Sequence, residues 1–400
     1  MSASPSGQDG PPRLAVVGIP GNRRLALFQD AVRAAGLPPA REIGWLDVVR
    51  GRAGFTAGET VRLDSPGEDP EVHRLLSGVA DPTRVEGTGR WYERFTAAAR
   101  AVGRAAGAAG AKVLDDPEEL AVLFDKRLTH GVLDGAGVPV PLSPTSGPAA
   151  PAVTGWADVR ERMAAAGVRG AFVKIAHGSS ASGVLAVRTA GPGRVSAVTS
   201  VERDGAGRLY NSLRVRRYTA EREVAAIVDT LAPDGLHIER WMPKGTQRGR
   251  SADLRVVVIA GRATHVVVRT SASPMTNLHL GGARGDLDAL RATVDAAGGS
   301  FAAALATCEA AAGCFPATHC VGVDLLPAPS WRRYTVGEVN AFGDLLPGLT
   351  GLPERAAAGL DTYAAQLAAL PGRPARTATA TTAFATATTP SLPRPERQDV

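Results

Sequence analysis

The segment Val336-Gly337-Glu338-Val339-Asn340 restricts the fold more than any other stretch of this sequence. Read as a strand, it puts Glu338 and Asn340 on one face and Val339 in the opposite layer, because strand side chains alternate with a period of two. A second strand-like run, Cys320 to Leu326, precedes it, and Pro327-Ala328-Pro329-Ser330-Trp331 joins the two as a hairpin. Pairing Asp324 with Glu338 centres the turn at residue 331, inside that connection. Asp324, Glu338 and Asn340 then converge from neighbouring strands. Two carboxylates and an amide on a rigid platform suit Mg²⁺, a hard ion that keeps positions for water and phosphate oxygens. Close carboxylates repel one another without such a cation. The flanks Val321, Val323, Leu325, Val336 and Val339 are apolar, which favours a metal site over a solvated sheet face.

A second hairpin is expected from Leu254–Ile259 and Ala263–Arg269, turning at Ala260-Gly261-Arg262. Arg255 and Arg269 interrupt its β-branched runs, where a long cation is costly unless it snorkels or meets an anion. Lys174 lies late in the apolar strand Gly170–Ile175 and is followed by His177-Gly178-Ser179-Ser180-Ala181-Ser182-Gly183. Small residues there let backbone N–H groups approach phosphate oxygens, although a plain hairpin loop has the same composition. Lys126 opens a helix after Phe124-Asp125, and Glu239-Arg240-Trp241 ends a strand beginning at Leu236.

The chain's 400 residues exceed one ordinary core, so two or three packed units are expected. The first, residues 13–115, opens with the strand Leu14–Val17, a Gly18-to-Asn22 turn and a helix from Arg23 to Ala35, and contains a helical stretch around Trp91 to Ala109. Its turn lacks the spacing of a dinucleotide fingerprint. Residues 116–241 and 242–372 form the next two units, with strands and helices alternating too irregularly for one doubly wound sheet. Residues 1–12 and the Thr/Ala/Pro-rich 373–400 are expected to be disordered.

The formal charge of +6 is spread among dispersed arginines, so no nucleic-acid partner is expected. Cys308, Cys314 and Cys320 match neither a metal knuckle nor a disulfide framework. No apolar run reaches membrane-spanning length and the start lacks a secretion signal, so the expected location is cytoplasmic, with no membrane partner.

Taken in order, these residues resemble the ATP-grasp superfamily from about Asp116 to Leu349. Asp125-Lys126 through Gly137-Val138-Pro139-Val140-Pro141 looks like its DK…GVPxP segment, and Phe172-Val173-Lys174 with the following loop looks like its second ATP lysine and phosphate-covering loop. Asp253-Leu254-Arg255, Gly261 and Arg269 are similar to the DxR…G…R pattern of the branch that ligates amino acids to peptide or protein carboxylates. Asn277-Leu278-His279-Leu280-Gly281-Gly282 resembles that branch's N-L-H-x-G-G, with Leu280 where a basic residue is common. Gly322-Val323-Asp324 and Gly337-Glu338-Val339-Asn340 look like its metal motif.

The resemblance implies an α/β (α+β) ATP-grasp fold preceded by a small Rossmann-like α/β domain. It implies ATP and Mg²⁺ as cofactors, with Mn²⁺ an alternative, and a carboxylate-amine or carboxylate-thiol ligase working through an acyl phosphate on an amino acid, peptide or small carboxylate. Lys126, Lys174, His177, Gly178, Ser179, Ser180, Gly183, Glu239, Trp241 and Asn277 would contact the nucleotide. Asp324, Glu338 and Asn340 would hold the metal, and Lys174, Arg255 and Arg269 would act in catalysis. Removing Lys174 or Glu338 is expected to abolish turnover with little loss of folding. A non-catalytic nucleotide-binding module and a kinase that stops at phosphorylation are the competing classes, and a homodimer is compatible with each.

Overall fold

The computed structural model describes residues 11–178, 181–191, 193–343 and 346–371. Residues 1–10, the 373–400 tail, Ser179 and Ser180 lie outside the described residues. The N-terminal unit is a parallel sheet of β1 (Arg13–Gly18), β2 (Arg41–Gly44), β3 (Glu59–Leu63) and β4 (Lys112–Val113) in the order β2-β1-β3-β4. It is crossed by α1 (Arg23–Ala34), α2 (Trp45–Val49), α3 (Pro70–Ser77) and α4 (Thr88–Ala108). Capping side chains start these helices where the sequence permits: Asn22 accepts from the Leu25 N–H, and Asp69 before Pro70 accepts from Val72.

Helices α5 (Pro117–Leu123) and α6 (Lys126–Gly135) lead, through a long loop and α7 (Trp156–Ala165), into the second sheet. That sheet is antiparallel, in the order β8-β7-β6-β5-β9, from β5 (Gly170–Ile175), β6 (Leu185–Thr189), β7 (Val195–Arg203), β8 (Leu209–Tyr218) and, after α8 (Glu221–Leu231), β9 (Leu236–Arg240). The third sheet runs β13-β12-β11-β14-β15, with β10 (Thr246–Gln247) paired to β11 (Arg250–Ile259). Its other strands are β12 (Arg262–Ser271), β13 (Ala283–Arg284), β14 (Cys320–Pro327) and β15 (Tyr334–Ala341); α9 (Leu287–Ala296) and α10 (Phe301–Gly313) separate β13 from β14.

Alternation sets which face of each sheet is covered. On β5, Ala171, Val173 and Ile175 are buried against α7 and α8, so Phe172 and Lys174 project from the other face. On β11, Leu254, Val256 and Val258 enter the core with Val323 and Val339, so Asp253 and Arg255 project oppositely. One apolar core runs from Val17 and Trp45 of the N-terminal unit through Leu120 to this third sheet, whereas the five-stranded sheet has its own core. The last helix, α11 (Thr362–Ala368), falls within the segment assigned from sequence to the third unit. It returns to the first one, packing Tyr363 and Leu367 with Leu25 and Phe28 of α1.

Phe95 of α4 is the junction between the first and third units: it is fully buried, stacks on Trp91 at 4.9 Å and meets Phe124 at 4.5 Å and Phe342 edge-on at 6.4 Å. Phe95→Ala is therefore expected to lower unfolding free energy by about 3–5 kcal/mol. Urea denaturation checks this, and a loss below about 1 kcal/mol would mean that the junction does not depend on this ring.

Candidate active site

The third sheet builds one wall of the site by register. Arg255 pairs with Asp324, and Asp324 with Glu338, while Gly322 pairs with Asn340. One step along, Asp253 pairs with Arg269, which pairs with Arg284. Directly paired residues share a face, as do residues two apart, so all these side chains stand on the face turned from the core. A bulge after Asp324 leaves Gly337 as an extra residue, and bulges of this kind redirect neighbouring side chains.

The opposing wall comes from β5, β9 and the start of α6. Asp125 caps α6 by accepting from the Arg127 N–H at 2.9 Å, which sets Lys126 at the first helical position. Lys126 Nζ donates to Glu338 Oε1 at 2.7 Å and to the Gly178 carbonyl at 2.6 Å, so one ammonium joins both walls. Lys174 Nζ lies 2.5 Å from Glu239 Oε1, and Glu239 Oε2 lies 3.6 Å from His237 Nε2.

Charge pairing determines protonation here. Burial would raise the Glu239 carboxyl, but Lys174 and His237 outweigh it and hold it at about 2. Burial works against the Lys174 ammonium, yet Glu239, Glu338 and Asp324 prevail and raise it. Asp324 would likewise be raised by burial, but Arg255 and Arg269 hold it well below the usual carboxylate range. Asp324 Oδ1 receives Arg255 Nε at 2.5 Å and Arg269 Nη2 at 3.0 Å, while Arg269 Nε also donates to Asp253 at 2.8 Å.

Between the walls lies a cleft of about 780 Å³. Lys126, Lys174, Gly178, Glu239, Arg255, Arg269, Asn277, Asp324, Glu338 and Asn340 all line it. Three sequence-chosen residues lie elsewhere. His177 stacks on Tyr92 at 4.0 Å and faces Asp125, and burial lowers its pKa, so it acts as a neutral packing ring behind the loop. Gly183 has φ of +65° and sits against Ile175 and Val85. Trp241 packs on Phe172 and under Arg188, and its N–H is bonded to the Gly170 carbonyl.

Other cleft residues carried no such signal in the sequence. Lys244, in an irregular loop, reaches back to Asp253, Thr276 Oγ1 and the Pro274 carbonyl, and burial lowers its pKa despite Asp253. Thr276 donates to the same carboxylate. From the N-terminal unit, Arg24 enters the cleft held by Asp64 at 2.8 Å.

Among the described residues no group of three or more His, Cys, Asp or Glu is arranged to hold a metal. The candidate ligands are two carboxylates and an amide, oxygen donors that fit a hard divalent ion. Asn340 Nδ2 donates to the Gly322 carbonyl at 3.2 Å, leaving its oxygen as the available acceptor. No helix is long and apolar enough to cross a membrane among the described residues. All three cysteines are free.

No family model matches the sequence, and no curated protein matches it. Solved structures do. D-cycloserine synthetase DcsG is 17% identical, over 83% of this chain and 92% of that one, with a TM-score of 0.50. The ATP-grasp ligase PsnB, complexed with a minimal precursor, is 16% identical over 88% and 96%, with a TM-score of 0.49. D-alanine–D-alanine ligase from Bacillus anthracis is 12% identical over 84% and 89%, with a TM-score of 0.43. At these identities the likeness to the synthetase is one of fold, and the other two superpose too loosely to add to it.

The Lys174–Glu239 pair argues that removing Lys174 carries a structural cost, against the expectation from sequence of little loss of folding. Lys174→Met leaves the buried Glu239 carboxylate without its ammonium partner, with only His237 beside it, and is expected to cost about 3–5 kcal/mol at pH 7. In the native protein the Glu239 pKa of about 2 lies below the ordinary 4.5, so the pair's contribution is complete above pH 4.5 and fades as pH falls toward 2. Without Lys174, burial of Glu239 is opposed by His237 alone, so less stability is lost on acidification than in the native protein. Urea denaturation at pH 7 and pH 3 should show the gap between the proteins narrowing at pH 3; a pH-independent gap would contradict the pairing.

Proposed function

We propose that this chain, whose fold is the ATP-grasp fold, is a Mg-ATP-dependent ligase that joins a carboxylate of an amino acid, peptide or small acid to an amine through an acyl phosphate. The observation that carries the reading is the presence, in one cleft, of Lys126 and Lys174 facing Arg255, Arg269 and the oxygen donors Asp324, Glu338 and Asn340 across its two walls. When bound, Mg-ATP supplies the phosphoryl group that turns a carboxylate into an acyl donor.

Asp324, Glu338 and Asn340 are the groups we assign to the ion. Lys126, now bonded to Glu338 and to the Gly178 carbonyl between the two walls, would give its ammonium to a phosphate oxygen. Lys174 remains an ammonium in the cleft because Glu239 sustains it, so it opposes negative charge growing on the transferring group. Arg255 and Arg269, which share Asp324 on adjacent strands, would turn donors to a carboxylate and to the acyl phosphate formed from it. No side chain is required as a covalent nucleophile. The amine is our preferred acceptor over a thiol.

The test is Mg-ATP incubation with carboxylate and amine pools, scored by ADP release and by mass spectrometry for a condensed product. ADP release that requires both pools is expected. Glu338→Gln should reduce it on the order of 100-fold. ADP release independent of amine, with a stable phosphorylated product, would indicate a kinase; ATP-induced thermal stabilisation without turnover would indicate a binding module. Near-native ADP release by Glu338→Gln would remove the metal assignment.

A further inference from the structure

We propose that Arg284, backed by Arg269, forms a second anion subsite at the edge of the cleft, taking a carboxylate of the substrate other than the one that is activated. The inference rests on the ligase reading for the position of the activated group. Arg284 lies on β13 directly paired with Arg269 on β12, and both line the cleft. Like charges directly opposite on a sheet destabilise it, and while Asp253 and Asp324 offset Arg269, no described carboxylate is paired with Arg284.

Asp253, Asp324 and Glu338, the described carboxylates on this wall, are already engaged. Asp253 receives Arg269 through one oxygen and Lys244 and Thr276 through the other. Asp324 is shared by Arg255 and Arg269, and Glu338 is bonded to Lys126. Among the described residues Arg284 has no ion pair, and its Nη2 donates to the Pro347 carbonyl at 3.2 Å. The remaining donors of the guanidinium are suited to a carboxylate held through two parallel hydrogen bonds.

The short strand that carries Arg284 is built to lie where it does. A Cβ on Gly282 would stand 2.6 Å from the Asn277 carbonyl oxygen, and one on Gly285 2.6 Å from Val268 and 2.5 Å from Gln247. Glycines on both sides of Ala283-Arg284 thus allow β13 to sit tightly against β12. Gln247 secures the far end, accepting from the Asp286 N–H at 2.9 Å.

Neighbouring strands separate paired side chains by roughly 5 Å at Cβ. A free dicarboxylate with two or three methylenes, or two neighbouring acidic side chains of a peptide brought together by their flexible stems, can supply two carboxylates at a comparable separation.

Isothermal titration of the full chain distinguishes these sources. One arm compares butyrate with glutarate; the other compares N-acetyl-Glu-Gln-amide with N-acetyl-Glu-Glu-amide. Each is run with and without Mg²⁺ and the non-hydrolysable ATP analogue AMPPNP. In at least one arm the second carboxylate should tighten binding by about 10-fold, and that arm identifies the source. Arg284→Gln should abolish the gain and Arg284→Lys should retain part of it, with melting temperatures reporting that both variants fold. No gain in either arm, through equal or unmeasurable affinities, overturns the proposal, as does a full gain in Arg284→Gln. Failure of AMPPNP to bind strikes the ligase reading alone, since the carboxylate comparison without nucleotide still decides this one.

Discussion

Period-two alternation along β11, β14 and β15 is the constraint on which the rest of the site depends. Leu254, Val256, Val323 and Val339 fill the core, which forces Asp253, Arg255, Asp324, Glu338 and Asn340 onto the opposite face. A one-residue slip would exchange the two sets, burying charges away from their partners and exposing the apolar side chains. The same register therefore secures both the core and the positions of the candidate ligands. The bulge at Gly337 modifies this locally without reversing it, since Glu338 and Asn340 remain on one face.

The site's electrostatics follow from that geometry. Each ammonium or guanidinium of the inner cleft meets a carboxylate on a neighbouring strand or on the facing wall, which lowers the desolvation penalty of holding so many charges together. Lys126 differs from the others because its two bonds go to different walls, Glu338 on the six-stranded sheet and Gly178 after β5. The five-stranded sheet has its own apolar core, and this ammonium is a polar tie between that unit and the wall built by the third sheet. Arg24 adds a comparable tie from the N-terminal unit, reaching the Phe342 carbonyl while Asp64 holds it.

Where periodicity and length were favourable, the sequence was informative. The two hairpins of the third sheet carry long β-branched runs, and the pairing of Asp324 with Glu338, centred in the Pro-rich connection, is present, but it is reached through the bulge at Gly337, which turn length does not reveal. Elements decided by tertiary contact were less legible. Strand β2 has four residues and only Ile43 is buried, too short a run for alternation to show. The charged strand β8, LYNSLRVRRY, reads as solvated chain until β7 supplies its partner. Lys244 and Arg284 reach the cleft from an irregular loop and a two-residue strand, and neither position has a period to betray it. The side chains of His177 and Trp241 point away from the cleft for the converse reason: adjacency to a cleft residue along the chain does not give a side chain the same direction.

The joint claim is that Asp324, Glu338 and Asn340 hold a divalent ion facing Lys126 and Lys174. The most direct measurement is a crystal structure with AMPPNP and Mn²⁺, whose anomalous scattering locates the ion. The account predicts an anomalous peak coordinated by oxygens of those three residues, with the triphosphate bonded to both lysines. A nucleotide bound with its ion elsewhere, and with Glu338 still bonded to Lys126 and Asp324 to Arg255 and Arg269, would contradict it.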